Sequence, residues 1–296
     1  MGGLAYDYQS LPENALFAPL GNGDKIQNQI SPKAGLIWEP SSRSAVRAAY
    51  SQSLGGANLD QSVRLEPAQL AGFTQAYRNV MPASLVGGID GARFETGDLS
   101  LEHRFVSRTY VALSAEWLHS TDDQSVGAFS RSLNTGEGPA IQLSEQLKFH
   151  ECSVDFSVHQ LLGDYFSLGA RYRLADAQLS TAFPQVDRSL GNTRSNLCGR
   201  LHLVSLEGLF QHPSGFFVSV EGQWWAQELR ADLSSVPGDQ FWQANAQAGY
   251  RSPRRRLEIS LGVLNITGRN YNLFPINLYP DLPRQRTFAS RLQLNF

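Results

Sequence analysis

The sequence is poor in charge and in cysteine. Only 18% of its 296 residues are charged, and the formal net charge is -2. This near balance excludes a nucleic-acid binder that relies on overall positive charge, and it argues against a disordered acidic chain. The two cysteines, Cys152 and Cys198, have no zinc-type spacing and cannot form a disulfide-dense scaffold. They are either free or joined in a single bridge, which would require an oxidising compartment.

Long hydrophobic runs and a targeting segment are also missing. A transmembrane helix needs about 20 mostly apolar residues in a row. The richest segments, Leu201–Leu209 and Phe216–Trp225, are interrupted by charged and polar residues. Residues Met1–Tyr8 have neither the basic nor the apolar region of a signal peptide. We therefore expect the chain to begin as a cytosolic protein or within a larger one.

Motifs that carry catalysis or bind metals are lacking as well. The sequence contains no G-x-S-x-G, H-E-x-x-H, G-x-x-x-x-G-K or EF-hand pattern. We interpret His119, Asp122 and Asp123 as a polar loop tip. In His150–Cys152 a joint metal site is not expected, because neighbouring residues of a strand point to opposite faces. The sequence therefore predicts no enzymatic activity, no cofactor and no metal site.

What the sequence does contain is a regular alternation of apolar and polar residues. The pattern runs for about ten residues at a time, in Tyr110–Trp117, Phe166–Leu174, Trp242–Arg251, Leu257–Val263 and Thr287–Phe296. A period of two is typical of a β-strand with one apolar and one polar face. Ten residues is about twice the usual length of a soluble strand, and it is the length that crosses a bilayer when the strand is tilted.

The polar faces and the strand ends favour a membrane barrel over a soluble sheet. The polar faces are rich in Gln, Asn, Ser, Gly and Arg, which suit a narrow wet lumen. Aromatic residues near the strand ends resemble interfacial girdles: Trp38, Tyr110, Trp117, Tyr165, Trp224, Trp225 and Tyr250. A soluble β-sandwich or propeller with aromatic corners is the alternative.

Short and long connections mostly alternate along the chain, which is typical of outer-membrane barrels. Short turns are predicted at Pro40–Arg43, Phe105–Arg108, Leu162–Asp164, His212–Gly215 and Ser252–Arg255. The sequence thus predicts an all-β, transmembrane antiparallel β-barrel of about 14 strands. The least marked strands are Leu4–Tyr8, Gln124–Arg131 and a hairpin around Phe149–Glu151. Helical spacing of apolar residues also predicts a helix in the long-loop segment Arg64–Asn79.

Charged residues on the polar faces are the candidate site. Arg171, Arg173, Glu116, Glu258 and Arg291 are expected to face the lumen, as candidates for substrate contact. Rings of charge set the selectivity of pores. The alternative is that these charges pair with one another or with residues of a plug.

Several segments resemble TonB-dependent receptor barrels. Ser31–Pro40 followed by Ala45–Ser51 resembles a strand–turn–strand unit of that family, and Leu264–Tyr271 resembles its penultimate segment. Leu65–Pro67 and Pro283–Phe288 are similar to further steps, although Ala68 stands where an acidic residue usually follows the proline. Phe296 matches the terminal aromatic residue that the outer-membrane assembly machinery reads. The string Val63–Val86 is similar to a variant set of barrels fused to tetratricopeptide repeats.

The resemblance implies the C-terminal portion, residues 1–296, of a larger barrel of about 22 strands. The plug and the N-terminal energy-coupling box of that family are absent from this sequence. The implied function is an outer-membrane receptor or transporter of a Gram-negative bacterium, which binds and passes a small-molecule or glycan substrate. Implied partners are outer-membrane lipid, the assembly machinery through Phe296, and the TonB complex through a missing N-terminal region. The alternative is a non-enzymatic export or scaffold porin linked to tetratricopeptide repeats.

Overall fold

Antiparallel β-strands account for almost all of the regular structure. In this computed structural model the described residues are 1–14, 18–55, 69–70, 73–74, 91–129, 138–187, 193–231, 238–252, 256–273 and 282–294. The strands are β1 (Gly2–Pro12), β2 (Asp24–Ser41), β3 (Ser44–Leu54), β4 (Gln69–Leu70), β5 (Phe73–Thr74), β6 (Arg93–Arg104), β7 (Thr109–Phe129), β8 (Ala140–Leu162), β9 (Phe166–Ala182), β10 (Arg194–Gln211), β11 (Phe216–Ala231), β12 (Gln240–Arg251), β13 (Leu257–Leu264) and β14 (Thr287–Leu294). Within these described ranges, no helix is long and apolar enough to cross a membrane.

Twelve strands form one sheet in which each strand pairs with the next along the chain. The order is β1-β2-β3-β6-β7-β8-β9-β10-β11-β12-β13-β14, and β4 and β5 form a separate two-stranded ladder. That ladder lies inside the segment predicted to be helical. For its four strand residues the helix prediction is wrong, because Gln69 pairs with Thr74 and Leu70 with Phe73. The rest of Arg64–Asn79 lies outside the described residues.

Tight turns join the strands at one end of the sheet, and longer connections join them at the other. Turns at 42–43, 105–108, 163–165 and 212–215 are confirmed, and the fifth predicted turn is only partly described. Gly215 is required in its turn, because its φ is +99° and a Cβ there would overlap the carbonyl oxygen of Arg251. The hairpin predicted around Phe149–Glu151 is absent, since β8 passes through it as one strand of 23 residues.

Side chains that pair across the ladder point to the same side, so the register separates two faces. The outer face carries apolar side chains on every strand of the twelve-stranded sheet, half-buried on β3 and exposed on the other strands: Leu4, Trp38, Val46, Leu99, Leu113, Phe156, Leu168, Leu206, Val220, Trp242, Leu261 and Leu292 are among them. An apolar face this wide does not remain in water on a soluble protein, because large exposed apolar patches mark sites of association or membrane contact.

Aromatic side chains bound the outer apolar face along the strands. Phe216 pairs with Tyr250 near the short turns, and Trp224 pairs with Trp242 toward the long connections. Each row is eight residues from the other, or about 26 Å along a strand at about 3.3 Å per residue. A tilt of about 40° reduces this to about 20 Å, close to the apolar band of outer-membrane barrels.

Two of the predicted girdle residues lie on the other face. Trp225 is 9% exposed and packs in the inner cluster, and Tyr110 pairs with His159 on the inner side. For Trp225 the reason is the period of the strand: Trp224 and Trp225 are consecutive, so only one of them can face outward.

The inner face has an apolar zone at the long-connection end. We call this zone the apolar layer; its buried members are Ala92, Phe94, Leu118, Leu147, Phe149, Ala175, Ala177, Leu179, Leu201, Trp225, Phe241, Tyr271, Leu273 and Leu282. Between the apolar layer and the short turns, the inner face is polar. The sheet therefore has an apolar outer face and an inner face that is polar near the short turns and apolar at the long-connection end.

Candidate lumenal site

The polar part of the inner face is the candidate site. We define the polar zone as the charged and amide side chains of the inner face of β3 and β6–β12 between the apolar layer and the short turns. They are Arg47, Asp98, Glu102, Arg104, Glu116, Asp155, Arg171, Arg173, Glu207, Glu221, Gln223, Gln243, Asn245, Gln247 and Arg251. Among these described residues, six carboxylates face five guanidinium groups, and one of the latter, Arg251, pairs with Glu258 of β13, so the polar zone keeps a small excess of negative charge.

Arg171 is the central cation of the polar zone. It forms a bidentate pair with Asp155 on the neighbouring strand, with Nε–Oδ1 at 3.0 Å and Nη2–Oδ2 at 2.5 Å. Glu207 and Glu116 also act on this guanidinium electrostatically. One arginine is thus surrounded by three carboxylates. The single positive charge of Arg171 attracts all three carboxylates but neutralises only one of their three negative charges.

Glu221 is the best hydrogen-bonded carboxylate of the polar zone. It accepts hydrogen bonds from Gln223 Nε2 at 2.6 Å, from Asn245 Nδ2 at 3.0 Å and from Ser205 Oγ at 3.3 Å. Glu207 lies directly opposite Glu221 in the ladder, and its side chain is exposed on the inner face. Two like charges placed opposite each other are destabilising in a sheet, so this arrangement favours a positive group between them.

The five residues predicted from sequence all lie on the inner face, but they form two groups. Arg171, Arg173 and Glu116 belong to the polar zone on β7 and β9. Glu258 lies on β13, where it accepts a hydrogen bond from Arg251 Nε at 2.7 Å. Arg291 on β14 donates to Gln293 Oε1 at 2.7 Å. Glu258 is therefore neutralised locally, and neither it nor Arg291 contributes to the acidic group.

Sequence reasoning missed Asp155, Glu207 and Glu221. Asp155 could have been found from the turn at 163–165, because a tight hairpin there pairs Asp155 with Arg173 and places both on one face. Glu207 and Glu221 follow from the next turn in the same way, since they pair with each other across β10 and β11. The positions of these three carboxylates could therefore have been predicted from the tight turns, but not from the alternation of apolar and polar residues alone.

The possible metal ligands are spread over both faces. His119, Asp122 and Asp123 lie within β7 and not at a loop tip, so that interpretation is wrong. His119 faces outward opposite His150, with ring centroids 6.3 Å apart, whereas Asp122 faces inward and pairs with Lys25 at 3.6 Å. No group of three or more His, Cys, Asp or Glu suited to a metal ion occurs in the described part of the chain.

Both cysteine sulfur atoms lie on the outer face of the sheet. Cys152 Sγ is 3.7 Å from His150 Nε2 on that face, while Glu151 points inward as expected for its neighbour. Cys152 and Cys198 are both free thiols.

The segment after β13 closes the apolar layer over β12. Tyr271 stacks on Phe241 with ring centroids 5.2 Å apart and an interplanar angle of 10°, and its hydroxyl donates to Leu282 O at 2.7 Å. Arg284 lies over the same ring at 5.3 Å and donates to Tyr271 O at 2.6 Å. We call residues 265–273 and 282–284 the latch. Gln243 of the polar zone also donates to Pro283 O at 2.9 Å, so the latch is bonded directly to the sheet.

The hairpin of β1 and β2 reaches the long-connection end from the opposite edge of the sheet. Asn14 Nδ2 donates to Gln142 Oε1 at 3.0 Å, and Gln142 Nε2 donates to Pro19 O at 2.8 Å. Lys25 pairs with Asp122, whose side chain is 3% exposed. Burial raises the pKa of the Asp122 carboxyl, and the charge of Lys25 opposes this shift. Asp122 lies beyond Trp117 and hence outside the apolar band.

Comparison with known proteins places the fold. The sequence matches no protein-family model and no curated protein. Among solved structures, the ferric preacinetobactin receptor BauA of Acinetobacter baumannii is 8% identical, with a TM-score of 0.51 over 80% of this chain and 39% of that chain. The siderophore receptor PiuA of the same organism is 10% identical, with a TM-score of 0.49 over 89% of this chain and 44% of that chain. The toluene transporter TodX of Pseudomonas putida is 12% identical, with a TM-score of 0.36 over 100% of this chain and 78% of that chain.

The first comparison establishes the class of fold. The chain is all-β, with an antiparallel sheet folded like part of the wall of an outer-membrane β-barrel. It spans less than half the length of either siderophore receptor, 39% and 44% respectively.

Proposed function

We propose that this chain forms part of the wall of an outer-membrane β-barrel in a Gram-negative bacterium. The lumen of that barrel binds and passes a small polar solute that is cationic or neutral. The observation that carries the proposal is the contrast between the two faces of one sheet. The outer face is apolar between two aromatic rows, and the inner face at the same level carries the acidic polar zone. A sheet with this pattern separates lipid from water.

The preference for cations follows from the charges of the polar zone. Arg251 and Glu258 neutralise each other nearer the turns, and the six carboxylates of the polar zone outnumber its four other guanidinium groups. Rings of acidic side chains favour cations in pores. The exposed Glu207 is the group best placed to meet a solute, because Glu221 and Asp155 already have hydrogen-bond partners.

The ion preference is tested on the full chain folded into planar lipid bilayers under a potassium chloride gradient. The reversal potential is expected to show cation selectivity. The double variant Glu116→Gln, Glu207→Gln is expected to reduce it, because both carboxylates lie on the inner face. Glu228→Gln is the matched control, since Glu228 lies on the outer face of β11 beside Arg230. Anion selectivity of the unchanged protein, or an equal effect of the control, would contradict the proposal.

The membrane location has its own test. Cells are fractionated and the chain is followed on gels with and without boiling, because folded outer-membrane barrels migrate differently from unfolded ones. A heat-modifiable band in the outer-membrane fraction is expected. Recovery in the soluble fraction would overturn the membrane proposal.

Partners beyond the lipid stay predictions from the family resemblance. Phe296, the residue predicted to be recognised by the assembly machinery, lies outside the described residues, as do Leu65–Pro67. Coupling to the TonB complex and linkage to tetratricopeptide repeats likewise stay predictions from the resemblance.

A further inference from the structure

A second polar site lies on the outer face of the sheet, beyond the apolar band. A groove of about 280 Å³ runs across β8, β9 and β10 near their long-connection ends. Its floor is made of the small side chains Ser180 and Ala182 of the middle strand. Its walls are Gln146 and Lys148 on one side and Arg194 and Asn196 on the other.

The register brings the two cations of the groove to opposite walls. Lys148 pairs with Ser180, and Arg194 pairs with Ala182, so both point to the outer face across one intervening strand. Two strand spacings amount to about 10 Å. Long side chains from both walls can therefore close on one tetrahedral anion above the small floor residues.

Neither cation is neutralised within the described part of the chain. Arg200, the next basic residue along β10, pairs with Asp176 at 2.8 Å, whereas no ion pair involves Lys148 or Arg194. The nearest carboxylate by register, Asp123 of β7, lies opposite Gln146 rather than Lys148. The amides and the hydroxyl of the groove are hydrogen-bonding groups that suit phosphate oxygens; Ser180 Oγ donates to Asn196 Oδ1 at 2.7 Å.

The distance of the groove from the apolar band determines which kind of anionic group can reach it. On β9 the last large apolar residue of the outer face is Leu174, and Ser180 lies six residues beyond it. This is about 20 Å along the strand, or about 15 Å above the apolar band at a tilt of about 40°. Phospholipid headgroups occupy only about 5 to 8 Å on each side of the hydrocarbon core. A membrane lipid must carry its anionic groups on an extended polar head to reach the groove.

We propose that this groove binds the phosphate groups on the extended sugar head of an outer-leaflet glycolipid, with Lys148 and Arg194 as the two anion-binding side chains. The proposal rests on the membrane placement proposed above. Bound there, the glycolipid joins the rim of β8, β9 and β10 to the surrounding lipid surface, on the side of the sheet opposite the lumen.

Purified phosphorylated lipopolysaccharide carrying a fluorophore is the probe, titrated against the full chain folded in zwitterionic detergent micelles. The double variant Lys148→Gln, Arg194→Gln is expected to weaken binding about 30-fold, since each cation near an anionic lipid surface contributes about fivefold. Arg230→Gln is the matched control, because Arg230 is an exposed outer-face cation outside the groove. Unchanged binding by the double variant, or an equal loss in the control, would overturn the assignment.

Two further arms separate the sources of phosphate. Inorganic phosphate that displaces the probe at an affinity similar to that of the glycolipid would show a free-anion site and overturn the glycolipid assignment. Dephosphorylated lipopolysaccharide is expected to bind like the double variant. Heat modifiability is measured on the same samples: a folded, inserted chain without phosphate-dependent binding refutes the groove alone, whereas a chain that does not insert refutes the membrane placement and the glycolipid assignment together.

Discussion

Asn265 offers the sharpest test of how the long-connection end is held together. This residue follows β13, is 0% exposed and has a φ of +49°. Its Nδ2 donates to Arg269 O at 2.9 Å and to Pro283 O at 3.0 Å. Its Oδ1 accepts from Arg269 N at 3.1 Å and from Thr267 Oγ1 at 2.9 Å. One buried side chain thus connects both parts of the latch.

The effect of Asn265→Ala can be estimated from these contacts. The two carbonyl oxygens keep a partner, because Gln243 Nε2 also donates to Arg269 O and Pro283 O. Thr267 keeps its hydrogen bond to Trp242 O. The Arg269 N–H is left without its partner, which costs about 1 to 3 kcal/mol. Alanine at a positive φ adds about 1 kcal/mol, so the variant is expected to lose about 3 kcal/mol of unfolding free energy in total.

Glycine at the same position separates the backbone contribution from the hydrogen bonds. Asn265→Gly loses the same side-chain contacts, but glycine adopts a positive φ without steric cost. We therefore expect Asn265→Gly to be about 1 kcal/mol more stable than Asn265→Ala, the reverse of the usual order for these two residues. Urea unfolding of the chain in detergent micelles, followed by tryptophan fluorescence, measures both values. A glycine variant less stable than the alanine variant, or losses below about 1 kcal/mol in both, would refute the reasoning.

Three further outcomes are expected. Gly215→Ala should destabilise the turn between β10 and β11 by more than about 1 kcal/mol, because φ is positive there and the Cβ would overlap the carbonyl oxygen of Arg251. Gly163→Ala is the matched control in the same urea assay, because Gly163 also has a positive φ but nothing lies within 4 Å of its Cβ, so the smaller loss expected there measures the backbone strain alone. Tyr271→Phe should cost about 1 kcal/mol through loss of the hydrogen bond to Leu282 O while the stacking on Phe241 remains, and a loss as large as that of Tyr271→Ala would contradict this division. Burial raises the pKa of Asp122 above its ordinary value of 3.8, so its contribution to stability is present below pH 3.8 and is lost as pH rises through the pKa of the folded state. The unfolding free energy of the unchanged protein, relative to that of Asp122→Asn, should therefore fall as pH rises from 3.8 through that pKa. A rise over the same pH range would contradict the raised pKa.

The strands and faces of the sheet followed from the sequence because two local signals agreed. The alternation in Phe166–Leu174 and Trp242–Arg251 predicted strands, and the structure has β9 and β12 there. Proline, glycine and serine marked the tight turns. A tight turn fixes the register of both neighbouring strands, so the inner position of Arg171 and Arg173 was predictable as well.

The long-connection end was not predictable, because its structure depends on contacts between distant parts of the chain. Periodicity predicted a helix in Arg64–Asn79, yet Gln69–Leu70 and Phe73–Thr74 pair as strands. The meeting of Asn265 with Pro283 and of Asn14 with Gln142 joins segments that no local pattern links. The same applies to Trp225, whose inward position depends on which of two adjacent tryptophans faces the apolar layer.

The length of the β7–β8 hairpin has a mechanical consequence. β8 has 23 residues, which is about 76 Å of strand at about 3.3 Å per residue. Tilted by about 40°, it rises about 58 Å, roughly 30 Å more than the apolar band requires. Because the ladder pairing continues as far as Phe129 and Ala140, this extra length is a paired β-ribbon rather than an unpaired loop. Phe129, 67% exposed at its far end, therefore lies beyond the apolar band by about the thickness of a hydrocarbon core.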